Sequence, residues 1–432
     1  MTKLPYLKRE YTRTFFIEWQ LFEDAQGCAP LQHDGLCLQM LKSPPALPLA
    51  AEQARAKAVA EPVVKTPPPP PPPKKEAAQV FLEWMIERSE KKRAQAQAQD
   101  KPQLPLPKPF DLYDIPAAMK STGFTVSAKL AQKWLDGPAY TVFGTDDPST
   151  AKEGRYPPHM VDHTTVSLGW LRGYSKIEPR YQALLGQLTS SNALLELRKN
   201  FTKYLATYRG MSHDLSTREH SQGDWQTLHE QFQFQLEPVG MLDTLTDTLG
   251  MTDVTAALAN FNFYAAVARA HIKTTVYNRY NTPTGTQYCR KSTVTVSHVW
   301  VYAKDSYSFH DSGQSSQYLG HWNKNGVIVL PAAVAANVGM AAAAAAIKPY
   351  WKNGENLINA LRIELWNEKL AHLPVDIGKK MAEGDVYYPV RNRDYRQWRM
   401  TKGRGGDFLI MTEPKLVRLE QPIDLNMPEV CR

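Results

Sequence analysis

The short stretch AKDSYSFHDSGQSSQYLGHWNKNG, at residues 303–326, contains the side chains best suited to chemistry. It directly follows a strand-like sequence, and a loop on such a rigid support can present general acids and bases. The candidate catalytic residues are therefore Asp305, Tyr307, His310 and Asp311. The same stretch also fits a hairpin loop held by aromatic packing, in which Asp and Gly serve turn geometry.

A second candidate site is the arginine-rich stretch VRNRDYRQWRMTKGRGGDF at residues 390–408. Six basic residues against two acidic ones leave a local excess of positive charge, and the glycines can turn backbone N–H groups toward an anion. Arg396, Arg399 and Arg404 are the candidate residues for binding an anionic group such as a phosphate. In the alternative interpretation, the aspartates pair with neighbouring arginines, and the glycines turn the chain into a strand at Phe408–Met411.

The sequence contains few signs of a metal or cofactor site. His159 and His163 have a His-x-x-x-His spacing, which binds metal on a helix, but the two prolines before them favour a loop followed by a strand. We therefore predict no metal site. The chain has no P-loop, no G-x-G-x-x-G and no G-x-S-x-G elbow. Motifs thus support none of the common enzyme classes, the cofactor is unknown, and enzymatic activity stays an open question.

Composition indicates a chain with a large core and a basic surface. Of 432 residues, 43% are hydrophobic, and the formal net charge is +8. This charge favours contact with nucleic acid, an anionic membrane face or an acidic protein, although there is no specific nucleic-acid motif. The four cysteines, Cys28, Cys37, Cys289 and Cys431, form no CxxC pair. Their spacing argues against a zinc ribbon and a disulfide framework and fits synthesis in a reducing compartment.

Two segments bear on export and on membranes. The N-terminal sequence MTKLPYLKREYTRTFFIEW mixes charges with aromatic residues, so we do not expect a cleaved Sec-type signal peptide. Residues 326–347, GVIVLPAAVAANVGMAAAAAAI, contain no charge and are long enough to span a bilayer. Pro331, Asn337 and the many alanines favour a short strand followed by a packed helix, with a membrane-inserting segment as the alternative.

The first 109 residues divide into four parts. Residues 1–42 predict a small β-like arm, in which the alternation of TFFIEWQLF and a second apolar run around LCLQML suggest a hairpin. Residues 43–75 are a Pro/Ala-rich linker whose consecutive prolines favour polyproline II geometry. Residues 76–99 predict an amphipathic helix, and residues 100–109 form a second Pro-rich linker.

The helix at residues 76–99 has an apolar stripe that needs a partner surface. Charged residues cover its other side. The candidate partner-binding residues on the stripe are Phe81, Trp84 and Met85. The stripe docks either on the chain's own C-terminal domain or on another protein, because an amphipathic stripe does not identify its partner.

Residues 110–432 predict the main domain, of the α+β class, with a helical N-terminal half followed by a mostly antiparallel sheet. Apolar residues at helical spacing occur in residues 114–137 and 181–208, and a third helical region follows Gly250. Beyond Thr274, the stretches STVTVSHVWVY, GVIVLP and DFLIM have the pattern of strands.

Three separated stretches in this domain carry a resemblance: FDLYDIPAAMKSTGFTVSAKLAQKWLDGPAY, VYAKDSYSFHDSGQSSQYLGHWN and VRNRDYRQWRMTKGRGGDFLIMTE. Together they resemble an uncharacterised bacterial family that is often encoded beside spike proteins of type VI secretion systems. The resemblance extends from Phe110 to about Glu413 and supplies no established catalytic residues. Members often have an Asp where this chain has Ser308, which weakens any mechanism that needs a second carboxylate there.

The resemblance implies an antibacterial effector (toxin), or an effector-associated protein, made in the bacterial cytoplasm and exported into a target cell without a cleaved signal peptide. Its expected partners are the type VI secretion spike or a co-encoded effector or immunity protein. An anionic substrate is a separate expectation, from Arg396, Arg399 and Arg404. Two other functions stay open. One is a non-enzymatic adaptor, chaperone or immunity protein that binds a neighbouring effector through the helix at residues 76–99. The other is a pore-former that inserts residues 326–347.

Overall fold

The computed structural model describes residues 6–11, 17–22, 38–47, 110–141, 155–208, 210–245, 251–283, 285–311, 316–328 and 386–431. The predicted helix with Phe81, Trp84 and Met85, most of the first linker, and all of the second lie outside these residues. The apolar segment at 326–347 lies outside them from residue 329 onward. Within the described ranges, no helix is both long enough and apolar enough to cross a bilayer.

The strands in chain order are β1 (Tyr6–Tyr11), β2 (Ile17–Phe22), β3 (Leu38–Gln39), β4 (Phe110–Asp111), β5 (Val161–Asp162), β6 (Ser212–Ser216), β7 (Gln233–Val239), β8 (Phe261–Thr282), β9 (Gly285–Tyr307), β10 (Tyr318–Asn323), β11 (Gly326–Ile328), β12 (Val386–Arg391), β13 (Phe408–Met411), β14 (Lys415–Asn426) and β15 (Val430–Cys431). The α-helices are α1 (Ile115–Ser121), α2 (Thr125–Asp136), α3 (Leu168–Arg172), α4 (Glu178–Gly186), α5 (Ser191–Thr207), α6 (Thr217–His220), α7 (Trp225–Phe232), α8 (Met241–Thr244), α9 (Asp253–Ala257) and α10 (Asn392–Lys402).

Two sheets contain nearly all of these strands. The larger sheet has the order β5-β13-β9-β8-β6, with β14 and β15 also paired to β9 and β7 paired to β8. The smaller sheet has the order β11-β10-β12-β1-β2. Within these two sheets, the pairing of β5 with β13 is parallel and the other described pairings are antiparallel. The predicted α+β class, with helices first and a mostly antiparallel sheet later, is confirmed.

The helices form where apolar residues recur at helical spacing. α2 buries Ala128, Leu130, Ala131 and Trp134 on one side, as the sequence predicts. The predicted helix through residues 181–208 is a pair, α4 and α5, and the Ser190 hydroxyl accepts a hydrogen bond from the Ala193 N–H at the start of the second. The third helical region, after Gly250, is the short α9.

The centre of the larger sheet is one long hairpin made by β8 and β9, with 22 and 23 residues. Alternate residues of both strands are buried, among them Ile272, Val294 and Val296. β-Branched residues recur in both strands, as in KTTV and STVTV, and pack well on a pleated surface. The register shifts near Val267, Arg269 and Ala270, where the pairing has irregularities typical of β-bulges.

The N-terminal hairpin differs from the prediction. β2 pairs with β1, from Tyr6 opposite Phe22 to Tyr11 opposite Ile17, whereas the LCLQML run supplies β3, which pairs in parallel with β4. Only five residues separate the run YLKREY from β2, so the nearer segment forms the hairpin. β1 then pairs with β12 and extends the smaller sheet.

The cysteine prediction also needs correction. β15 pairs with β9 so that Cys431 lies opposite Cys289, and the two form a disulfide across 142 residues of sequence. The expectation that the cysteines form no disulfide was therefore wrong for this pair. The rule used in the prediction considers spacing along the chain, whereas antiparallel pairing brings distant residues together.

Candidate functional site

The predicted catalytic residues occupy the end of β9 and the loop after it. Asp305 stays on the strand, opposite Ile410 of β13, and Tyr307 is buried with its ring stacked on Phe408 at a centroid distance of 5.0 Å. Burial raises the pKa of the Tyr307 phenol well above its ordinary value, and the nearby charge of Asp305 raises it further. Tyr307 is therefore a neutral, packed side chain.

Asp311 brings the two predicted sites into contact with each other. Its carboxylate forms an ion pair with Arg396 at 2.7 Å and accepts hydrogen bonds from the Gln317 N–H at 2.9 Å and the Asn392 side-chain amide at 2.9 Å. Burial alone would raise the pKa of Asp311, but hydrogen bonds from Gln317, Ser316 and Arg396 hold it below its ordinary value. The carboxylate thus fastens the loop to α10.

His310 contributes to the same fastening through its backbone. Its carbonyl accepts a hydrogen bond from the Asn392 side-chain amide at 3.0 Å, and the Phe309 carbonyl accepts one from Arg396 at 2.9 Å. The structure therefore brings Asp311 to Arg396, whereas Asp305 and Tyr307 lie opposite Ile410 and Phe408 of β13.

Arg399 is the second of the three arginines that we call the corner arginines, Arg396, Arg399 and Arg404. Its guanidinium donates to the Asp407 carboxylate at 2.7 Å, and the Trp134 indole N–H donates to the same oxygen at 3.0 Å. The side chain of Arg399 is 10% exposed and that of Asp407 is 0% exposed. Arg399 also lies over the Trp134 ring at 5.2 Å, so this ion pair is part of the core.

Arg404 holds backbone carbonyl groups from two distant segments. Its guanidinium donates to the carbonyl oxygens of Gly137 at 3.1 Å, Pro45 at 2.5 Å and Asp136. Nearby Gly405 has a φ of +92°, and a Cβ there would lie 2.5 Å from the Trp134 ring. This geometry matches the alternative interpretation of the stretch. Anion binding by the corner arginines stays a prediction, and all three already have protein partners.

Two of these arginines lie on a helix, α10, that was not predicted from the sequence. α10 buries Asn392, Tyr395, Trp398 and Arg399, which recur at intervals of three and four residues. Asp394 accepts a hydrogen bond from the Arg391 N–H at 2.7 Å as the third residue of a capping box, and Gly403 ends the helix with a φ of 56°. These signals are visible in the sequence, but the prediction for this stretch was based on its high arginine content.

A pocket lies directly beside the candidate catalytic loop, and we call it the Met pocket. It encloses about 600 Å³, including its open mouth. Three methionines line it from separate parts of the chain: Met119 in α1, Met241 in α8 and Met251 before α9. The remaining lining residues are Leu245, Thr255, Ala256, Ala259, Tyr307, Phe309, Gln317, Tyr318, Leu319, Gly320, Trp322 and Tyr395. Its predominantly apolar lining is typical of ligand-binding sites.

The polar groups around the Met pocket are neutral. No charged side chain occurs among its described lining residues. Burial raises the pKa of the Tyr395 phenol well above its ordinary value, with Tyr307 and Asp394 adding to the rise. Tyr318 shares a hydrogen bond of 2.6 Å with His321, whose pKa falls to about 3 because of burial and then the charge of Arg391. The pocket is therefore suited to apolar groups rather than to ions.

Of the remaining histidines singled out by sequence, His159 lies in a 3-10 turn at Pro158–Met160, directly before β5. The expected loop followed by a strand is confirmed. The His163 ring is 2.9 Å from the Met411 carbonyl oxygen, so it contributes to the attachment of β5 beside β13. Because the two histidines do not share a helix, their spacing does not direct both rings to one point.

Comparisons with known proteins add a family assignment. A family model described as a family of unknown function, DUF6402, matches residues 110–427. Neither the comparison with curated proteins nor the comparison with solved structures found a match. The matched region contains the Met pocket, the candidate catalytic loop and the corner arginines. The chain belongs to this family of unknown function, DUF6402.

Proposed function

We propose that the protein is a non-enzymatic adaptor that holds an apolar segment of a partner protein in the Met pocket. The partner that we infer is a type VI secretion spike or a co-encoded effector. The Met pocket carries the proposal of binding, and the resemblance of three sequence stretches to a secretion-linked family supports the identity of the partner. In this role the protein is made in the bacterial cytoplasm and is exported together with its partner.

The lining of the Met pocket fits apolar side chains of a protein. Methionine is unbranched and polarizable, so three methionines from different elements can adapt to the shape of an entering side chain. Flexible methionine-rich surfaces are typical of proteins that bind more than one hydrophobic segment. The aromatic rings of Phe309, Tyr395 and Trp322 supply large apolar areas at the same place.

The contacts of the candidate catalytic residues favour binding over catalysis. Asp311 is paired with Arg396, and Tyr307 is packed on Phe408. A general acid or base must reach a substrate, whereas these side chains hold the loop that forms one wall of the Met pocket. In this proposal the loop shapes the pocket. The alternative to the adaptor function is an antibacterial effector.

The first experiment tests whether the Met pocket binds the partner. The full chain is co-expressed in turn with the proteins encoded by neighbouring genes, and complexes are measured by size-exclusion chromatography with light scattering. Ala256→Trp fills the pocket from its half-buried position in the wall, so we expect it to abolish the complex. Ala206→Trp, at an exposed position on α5, is the matched control and should bind like the original chain.

A second arm separates the adaptor from the effector and from the stripe at residues 76–99. The full chain is expressed in bacteria with and without an added export signal, and survival is counted. We expect no killing in either compartment. If the original chain kills the cells, and Asp305→Ala or His310→Ala abolishes this killing while the protein stays folded, the adaptor function is wrong and the protein is a toxin. A complex that is lost with Trp84→Asp but unchanged by Ala256→Trp would move the partner site from the pocket to the stripe.

A further inference from the structure

A row of basic side chains crosses three neighbouring strands of the larger sheet. Arg269 on β8 lies opposite His298 on β9, and His298 lies opposite Arg418 on β14. Residues directly opposite each other on neighbouring strands point to the same face of a sheet. Both arginines are exposed, and His298 is half-buried between them.

Among the described residues, no ion pair compensates the two arginines of this row. Like charges placed directly opposite each other on neighbouring strands are destabilising. Partial burial, followed by the charges of Arg269 and Arg418, lowers the pKa of His298, so both guanidinium groups are within electrostatic reach of the ring. Throughout the described part of the chain, neither arginine forms an ion pair, and Glu420, the carboxylate nearest to Arg418 in sequence, is not paired with it.

Two tryptophans adjoin the row. Trp300 lies two residues beyond His298 on β9, on the same face of the sheet. Trp225 of α7 packs edge-on against Trp300 at a centroid distance of 5.3 Å, and the exposed Arg218 lies 5.5 Å above the Trp225 ring. Among the described atoms, the Trp300 indole N–H has no hydrogen-bond partner. Arg218, Arg269 and Arg418, which we call the face arginines, thus surround two half-buried aromatic rings.

The same face continues along the hairpin toward its tip. Lys273, Thr275 and Tyr277 follow Arg269 at alternate positions on β8, and all are exposed. Lys273 lies about 13 Å from Arg269 along the strand, at about 3.3 Å per residue. Between Asp253 and Asp305 the chain has no acidic residue, although Asp214 and Asp424 reach the face from β6 and β14. Those two carboxylates contact His271 and Thr295, at 2.7 Å and 2.6 Å.

We propose that this face of the larger sheet binds single-stranded nucleic acid, with phosphates on the face arginines and a base against Trp300 and Trp225. Guanidinium groups match phosphate geometry, and base–aromatic stacking beside a basic groove is how sequence-tolerant proteins hold single strands. The exposed side chains that follow Arg269 along β8 offer contacts to an extended chain. A free nucleotide offers the same phosphate and base, so the experiment includes both sources.

An acidic protein partner fits this face less well. Protein interfaces are centred on buried apolar anchors and are depleted of charge at their core, whereas nucleic-acid interfaces are more polar and more positive. The face offers exposed arginine, lysine and threonine side chains around two aromatic rings. Among the described residues next to the row, the exposed large aliphatic side chain is Leu416 on β14. The proposal is independent of the Met pocket, which lies among other residues.

The test measures binding of the full chain to a short fluorescein-labelled oligothymidylate by anisotropy, at low salt and across a salt series. The triple variant Arg218→Ala, Arg269→Ala and Arg418→Ala is compared with a control that removes the same charge elsewhere, Lys120→Ala, Lys129→Ala and Arg198→Ala, all exposed on helices. We expect the face variant to bind about tenfold or more weaker than the control, and the slope of log K against log salt to fall by about 2, as three lost phosphate contacts require.

Two further arms identify the ligand. Trp300→Ala should weaken binding by about tenfold, while Trp300→Phe should retain most of it because stacking survives. A mononucleotide that competes as well as the oligonucleotide, at equal concentration of phosphate, would reassign the site to free nucleotides. The proposal is overturned if the chain shows no oligonucleotide binding at low salt, if the control triple variant loses as much affinity as the face variant, or if polyglutamate displaces the oligonucleotide equally well.

Discussion

The corner arginines and the face arginines have the same chemistry and opposite surroundings. The corner arginines are close together in sequence, and each is engaged by a carboxylate or by backbone carbonyl groups. The face arginines come from positions far apart in the chain, and all three are exposed without an ion pair among the described residues. Density of a charged residue in the sequence is therefore a poor guide to the charge that a folded protein presents.

The difference has an energetic origin. A buried guanidinium must be paired, because leaving a charge without compensation in the core is costly. An exposed guanidinium is solvated by water and can exchange that water for a ligand. We therefore expect substitutions at the corner to affect mainly stability, and substitutions on the face to affect mainly binding. The following predictions test this separation.

The largest effect is expected at the buried ion pair. Arg399→Ala leaves the Asp407 carboxylate buried without its guanidinium, so the free energy of unfolding should fall by about 3–5 kcal/mol. Urea denaturation followed by circular dichroism measures this loss. Replacing both partners, as Arg399→Met with Asp407→Asn, should cost less than the sum of the two single changes. A loss below about 1 kcal/mol for Arg399→Ala would mean that the corner is not a structural element.

The second effect concerns the disulfide between Cys289 and Cys431, which ties β15 to β9. Cys431→Ser opens a loop of 142 residues and should lower the free energy of unfolding of the oxidised protein by about 2–4 kcal/mol. Thermal denaturation with and without a reducing agent measures it, and the variant should match the reduced original chain. Equal stability of the oxidised chain and the variant would contradict the pairing. Binding by the face arginines should decrease little.

A smaller effect, with a defined pH dependence, is expected at Asp311. Asp311→Asn removes the charge that Arg396 faces, and because that arginine is 22% exposed the loss should be about 1–2 kcal/mol. The pKa of Asp311 is lower in the folded state than its unfolded value of about 3.9. Its contribution is therefore present above about pH 4 and is lost as the pH falls through the folded pKa.

The measurement compares urea denaturation of the original chain and Asp311→Asn at neutral pH and at about pH 2–3, where the difference should shrink. Asp214→Asn is the control, because that carboxylate is 91% exposed and belongs to the sheet face. It should change stability little at either pH. A difference at Asp311 that grows on acidification would contradict the ion pair with Arg396.

The smallest effect on stability is expected for the face arginines. Arg269→Ala or Arg418→Ala should change the free energy of unfolding by less than about 0.5 kcal/mol, because each arginine is exposed and forms no ion pair among the described residues. Differential scanning calorimetry measures this, with Arg404→Ala as the destabilising comparison. A loss above about 1 kcal/mol for either face variant would assign that arginine a structural role, like those at the corner.

The sequence predicted the architecture better than the site. The alternation in STVTVSHVWVY identified β9, and the spacing of Ala128, Leu130, Ala131 and Trp134 identified α2, because periodicity reports directly which side of an element is buried. α10 was missed although its capping box and spacing were present. The N-terminal hairpin was assigned the wrong partner, because alternation predicts a strand without specifying its neighbour.

The candidate site depended on contacts between distant segments. Tyr307 was singled out for catalysis, and the structure places it in the wall of the Met pocket with methionines from α1, α8 and the start of α9. No local motif marks those methionines, since each has the pattern of an ordinary core residue. The sequence predicted catalysis for Asp311 and anion binding for Arg396. In the structure the two residues, 85 positions apart, form an ion pair with each other.

The sequence by itself determined the class of the fold, a helical region followed by a mostly antiparallel sheet, and its basic charge, because hydrophobic period and composition are properties of the chain. Only the tertiary structure decided which arginines are enclosed and which are exposed, that Cys289 meets Cys431, and that a pocket forms beside the loop. The physical reason is that burial, pairing and cavity shape depend on contacts between residues far apart in sequence, such as Arg269, His298 and Arg418 across three strands.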